Sequence, residues 1–107
     1  FWATTSLLHI PKAKLRRVFT EIRKVVTKGG IGFITMQQGE GERMVSGPLP
    51  GTERFYALYN FDEFARVLER ERFKVIDRFQ DLREYYAHYP GSVVPPRVWL
   101  KYYVQRI

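Results

Sequence analysis

Apolar residues recur with helical spacing near the start of the chain. Leu15, Val18, Phe19, Ile22, Val25 and Val26 stand at i, i+3, i+4, i+7, i+10 and i+11, which puts them on one stripe of an α-helix. Pro11 suits the first turn, and Gly29-Gly30 supplies the stop. Before this helix, Phe1 to Thr5 read as a strand and Ser6 to His9 as a loop. After it, Ile31 to Met36 ("IGFITM") is apolar at odd and even positions alike, as in a strand buried on both faces. Strand, helix and strand with short loops form a βαβ unit.

Gln37 to Glu53 ("QQGEGERMVSGPLPGTE") holds four glycines and two prolines with little periodicity, and reads as a long loop. "RFYALY" reads as a short extended piece. Asn60 then caps a second helix, with Glu63 in capping-box position and Phe61, Phe64, Ala65 and Leu68 on its inner face. Phe73 to Phe79 is a strand. Asp81 to Pro96 is a connection, with a helical turn through Leu82 to Tyr86. Arg97 to Ile107 is a last strand, with Val98, Leu100, Tyr102 and Val104 on one face.

Composition narrows the function. The 107 residues are 45% hydrophobic and 16% aromatic, enough for one packed domain rather than a disordered chain. No apolar run reaches the roughly 20 residues of a membrane span, and no signal peptide opens the chain, so a cytoplasmic location is expected. With no cysteine, thiol catalysis and disulfides are excluded, and two histidines make a metal site improbable. Of the net charge of +7, the first 30 residues carry +6, mostly on the helix. Such a run is usually a solvated face. A nucleic-acid surface on the 12–28 helix is the alternative, with weak, non-specific binding lost near physiological salt.

In order and spacing, "WATTSLLHIPKAKLRRVFTEIRKVVTKGGIGFITMQQGEGE", "RFYALYNFDEFARVLERERFKVID" and "VWLKYYVQR" resemble the second half of a class I S-adenosylmethionine-dependent methyltransferase. The resemblance implies an α/β fold that is half of a Rossmann-like sheet, a single truncated domain over residues 1–107. It has about four strands in the family's order 4-5-7-6, the last antiparallel, and two main helices on one face. It implies S-adenosylmethionine as cofactor, with Thr4, Thr5, Ser6 and Leu7 beside it. His9 is the catalytic candidate, able to orient a substrate or accept a proton, and Gln37, Gln38 and Glu40 form a substrate-side loop. Two departures stand out. Arg72 replaces the usual glycine before Phe73, so that either Arg72 carries an unfavourable positive φ or the helix ends differently. The family's glycine-rich cofactor loop and acidic ribose partner have no counterpart in these residues; "GEGE" at 39–42 opens no helix.

The implied product is a methyltransferase-like fragment that does not hold the cofactor or transfer methyl groups alone. It would serve as an assembly or binding module, or as the substrate-side half of a split enzyme completed by a complementary half. The fragment is expected to form a homodimer, through the first strand's open edge or an uncovered sheet face bearing Phe33 or Ile34 and part of the Val98–Val104 row.

Overall fold

The computed structural model describes residues 1–4, 6–45, 51, 53–83 and 97–107. Thr5, the tyrosines at 85, 86 and 89, and His88 lie outside them. The main sheet has four strands, β1 (Trp2–Ala3), β2 (Ile31–Gln37), β5 (Phe73–Arg83) and β6 (Arg97–Arg106), in the order β1-β2-β6-β5. β1 runs parallel to β2, and β6 is antiparallel to both its neighbours. With these strands counted four to seven in chain order, the arrangement is 4-5-7-6.

Helix α1 (Lys12–Val25) follows a 3₁₀ turn at Leu7–His9, and α2 (Phe61–Arg70) precedes β5. Both helices pack on one face. Leu15 and Phe19 of α1 and Phe64 and Leu68 of α2 share a core with Ile34, Met36, Leu100, Tyr102 and Val104 of the sheet. The Phe19 and Phe64 rings lie 5.5 Å from Phe73 and 5.1 Å from Tyr102. The Tyr102 hydroxyl, sealed under α2, donates to the Phe61 carbonyl at 2.7 Å.

Local signals place the helix ends. The Asn60 Oδ1 accepts the Glu63 N–H at 2.7 Å while Glu63 Oε1 accepts the Asn60 N–H at 3.2 Å, a complete capping box. Gly29 takes φ +83°, and its N–H donates to the Arg106 carbonyl, tying the turn after α1 to the end of β6. The start of α1 is held from afar. Pro11 stands at the N-cap without a side-chain bond, and the Glu42 carboxylate accepts the Lys12 N–H at 2.7 Å. That contact places a negative charge at the positive end of the helix dipole.

Four expectations need correction. Residues 37–53 are not one loop: Glu42–Val45 (β3) pairs antiparallel with Arg54–Ala57 (β4), in a separate two-stranded ribbon. The strand expected to stop at Phe79 continues to Arg83, because its backbone finds partners in β6 as far as Arg97; no helical turn begins at Leu82. The first strand is two residues long rather than five. The Val98–Val104 row does not face water: Leu100, Tyr102 and Val104 are fully buried under the helices, as is Ile34.

Arg72 adopts φ +67°, the left-handed conformation, which is the first of the two outcomes open at its place before Phe73. A Cβ there costs about 1–2 kcal/mol, partly offset in a glycine variant by the greater entropy of its unfolded chain. Arg72→Gly should therefore stabilise the domain by about 1 kcal/mol, raising Tm by roughly 4–8 °C. A thermal melt showing no increase would contradict this account of the turn.

Candidate functional site

The parallel strands β1 and β2 end on the same side of the sheet, where open α/β sheets place their ligands. From β1 the chain passes through Thr4 into the turn at Ser6–His9. From β2 it passes through Gln37 and Gln38 toward Glu40. The candidates behave differently here. Thr4 is half-buried and Ser6 exposed, so both hydroxyls lie near solvent. The Leu7 and Leu8 side chains sit in the core, leaving Leu7 only its backbone to offer a ligand. Thr5 lies outside the described residues.

His9 is anchored across the fold. Its Nδ1 lies 2.8 Å from the Phe55 carbonyl of β4, and its ring meets Tyr56 edge-on at 4.9 Å. A carbonyl only accepts, so Nδ1 carries the proton in this bond. In the neutral imidazole, Nε2 is then the acceptor. The ribbon that the chain pattern did not show thus sets the tautomer of the best catalytic candidate.

Gln37 is buried at 7% exposure, and its Oε1 has no hydrogen-bond partner. The Gln38 side chain is exposed, and its Oε1 accepts from Gln80 Nε2 at 3.1 Å. Glu40 is exposed. The structure joins β2 to the segment after β4: Tyr59 N–H donates to Gln37 O, and Gly39 N–H donates to Tyr59 O. His9 and the glutamines therefore border one extended segment, at Phe55 and Tyr59 respectively. Four residues of extended chain span roughly 13 Å, so the two groups flank a common strand rather than touch.

Tyr59 was not singled out from sequence. Tyr59 is buried, with the Lys12 ammonium 4.3 Å from its ring centroid. Burial first, then the nearby Glu63 and Glu42 carboxylates, push its pKa up to about 12. Burial raises that of Tyr102 further. An unfolded tyrosine ionises near 10, so the folded state holds these protons more tightly. Their contribution to stability is complete below pH 10 and should be lost as pH rises through 12. Alkaline titration should show part of the phenolate absorbance appearing only with unfolding; full ionisation at pH 10.5 in a folded chain would contradict this.

The basic helix is less available than its charge suggests. Lys12 pairs with Glu63, Arg23 with Glu71 and Lys24 with Glu21, leaving Lys14, Arg16 and Arg17 exposed without charged partners among the described residues. Among those residues no group of three His, Asp or Glu could hold a metal ion, and no helix is long and apolar enough to cross a membrane.

The fold so described, a sheet of this order with both helices on one face, is similar to part of the fold of two solved methyltransferases. The chain is similar in structure to a SAM-dependent methyltransferase from Methanosarcina mazei, with TM-score 0.77 and 15% identity over 99% of this chain and 57% of that one. It is also similar to the glycopeptide N-methyltransferase MtfA, with TM-score 0.60 and 15% identity over 99% of this chain and 56% of that one. The chain thus spans little more than half the length of the methyltransferases it matches. No protein-family model matches the sequence, and no curated protein matches it.

Proposed function

We propose that this chain is the substrate-side part of an S-adenosylmethionine-dependent methyltransferase. The observation that carries the reading is the match of 99% of the chain to two solved methyltransferases while it spans 57% and 56% of them. The cofactor, when bound, supplies an electrophilic methyl group. The residues present fit its border rather than a full pocket: the backbone and hydroxyls of Thr4 and Ser6, the backbone of Leu7, and the turn ending at His9. In this reading His9 Nε2 accepts the proton that a hydroxyl or amine acceptor must lose, and the Nδ1 bond to Phe55 holds the ring in place. Gln37, Gln38 and Glu40 border the acceptor. The remaining contacts to cofactor come from polypeptide beyond these 107 residues, in the same chain or as a complementary half.

So few contacts cannot offset the cost of ordering a flexible, charged cofactor. Calorimetric titration of the isolated chain should show no micromolar binding of S-adenosylmethionine. At millimolar concentration, amide shifts should concentrate at Thr4 and Ser6–His9. Micromolar affinity would overturn the division of labour, and shifts that are absent or gathered on α1 would overturn the site.

Assembly is a second reading, favoured by a separate observation: the sheet face opposite the helices presents exposed aromatic rings.

A further inference from the structure

β5 is the last strand of the sheet. One of its edges pairs with β6, and no strand lies along the other among the described residues. Between β5 and α2 runs an open cleft of about 470 Å³. Ala65 of α2 and Val75 of β5 form its apolar part, and charged residues border it. A bulge falls at this point: the pairing with β6 skips Ile76, which is 50% exposed. At Arg78 the main-chain N–H donates to Asp77 Oδ1 at 2.9 Å, so a neighbouring carboxylate takes the place of a strand's carbonyl.

We propose that this edge and its cleft take an extended basic segment of another protein, added to β5 as a further strand. The inference does not depend on methyl transfer, and the edge lies at the opposite end of the sheet from β1.

Shape and chemistry select this occupant. A row of main-chain N–H and C=O groups at strand spacing is matched by another extended main chain, whose alternate side chains then enter a flanking groove. Small-molecule pockets are enclosed and mostly apolar, whereas this cleft is open and most of its lining is charged. The charges set the sign of the partner. Arg78 Nη1 and Asp62 Oδ1 neutralise each other at 2.9 Å. Glu69 and Asp77 remain against Arg66, so the lining is acidic in a chain of net charge +7. Lys74 does not change this: it stands opposite Gln105, out of phase with the core-facing pair Val75 and Val104, and so lies on the other face of the sheet. A second copy is disfavoured as the added strand. Pairing β5 with itself about a twofold axis, in registers centred on Asp77, Arg78 or Phe79, would set Asp77 against Asp77, Arg78 against Arg78, or Asp77 against Asp81. Like charges directly opposite each other destabilise a strand pair.

Amide-shift titration of the isotope-labelled chain with a capped heptapeptide of alternating valine and lysine tests the proposal. The expected result is saturable binding with a Kd of about 1 mM or tighter, with shifts gathered at Val75–Gln80 and Ala65–Glu69. Glu69→Lys, on the exposed side of α2, should weaken binding about fivefold or more. Asp77→Asn, which keeps an oxygen for the Arg78 N–H, should weaken it less. The same heptapeptide methylated on every central main-chain nitrogen keeps its charge but cannot donate to a strand, and should not bind. The proposal is overturned by shifts that do not saturate at about 5 mM, by shifts gathered elsewhere, or by a methylated peptide that binds as well as the parent. An alternating valine and glutamate peptide that binds as tightly as the lysine one would also overturn it, as would a chain that dimerises through these residues and takes no peptide. Should Glu69→Lys fail to fold, Asp77→Asn and the methylated peptide decide.

Discussion

Ile34→Lys should abolish the cooperative unfolding transition rather than release a partner. Ile34 is fully buried in the core shared by the sheet and both helices. Truncating such a residue typically costs about 2–5 kcal/mol, and an ammonium left there without a carboxylate adds a desolvation cost. The sum is comparable with the roughly 5–15 kcal/mol that holds a small domain together. Circular dichroism should show a loss of the folded signal at 25 °C, with no sharp melt. Phe33, one residue earlier, lies on the opposite face of the sheet, its ring 4.6 Å from that of Trp2 and 4.7 Å from that of Tyr103. A chain carrying Ile34→Lys that melts cooperatively within a few degrees of wild type would show that the two faces of β2 have been assigned the wrong way round.

Arg23→Met should produce the next largest loss, about 2–3 kcal/mol. Glu71, at the end of α2, is 3% exposed despite its charge. Its Oε2 lies 3.2 Å from Arg23 Nη1, which also donates to the Glu71 carbonyl at 2.7 Å. Nη2 of the same guanidinium donates to Thr20 Oγ1 at 3.1 Å. One planar group therefore clamps α1 to the end of α2. Removing one member of a buried pair costs about 3–5 kcal/mol, mostly because the other charge is stranded. Two features reduce that figure here: the Arg23 side chain is 21% exposed, and Arg70 Nε remains 3.7 Å from Glu71 Oε1. The expected drop in Tm is roughly 10–20 °C. Adding Glu71→Gln should recover part of it by removing the stranded charge. A loss below about 0.5 kcal/mol, the usual scale of surface substitutions, would mean the pair is solvated.

What the sequence by itself determined about this chain is local. The stripe through Leu15 and Phe19, the Asn60–Glu63 capping box, the positive φ at Gly29 and the strained Arg72 all depend on residues within a few positions of one another. A helix turn or cap is encoded at that range. The order of elements is legible for the same reason, and with it the resemblance to a methyltransferase.

The tertiary structure decided whatever depends on distant partners. Period-two alternation says that Phe33 and Ile34 face opposite ways, but both are apolar, so the pattern does not say which one meets the helices. The handed path of the two crossovers across the sheet settles that. The glycine-rich stretch after β2 holds a strand because β4 lies alongside it, and its Glu42 caps a helix 30 residues earlier. His9 was found from sequence by its place after a strand. Its tautomer and orientation come from Phe55, 46 residues away, because a hydrogen bond forms between groups that folding brings together, whatever their separation along the chain.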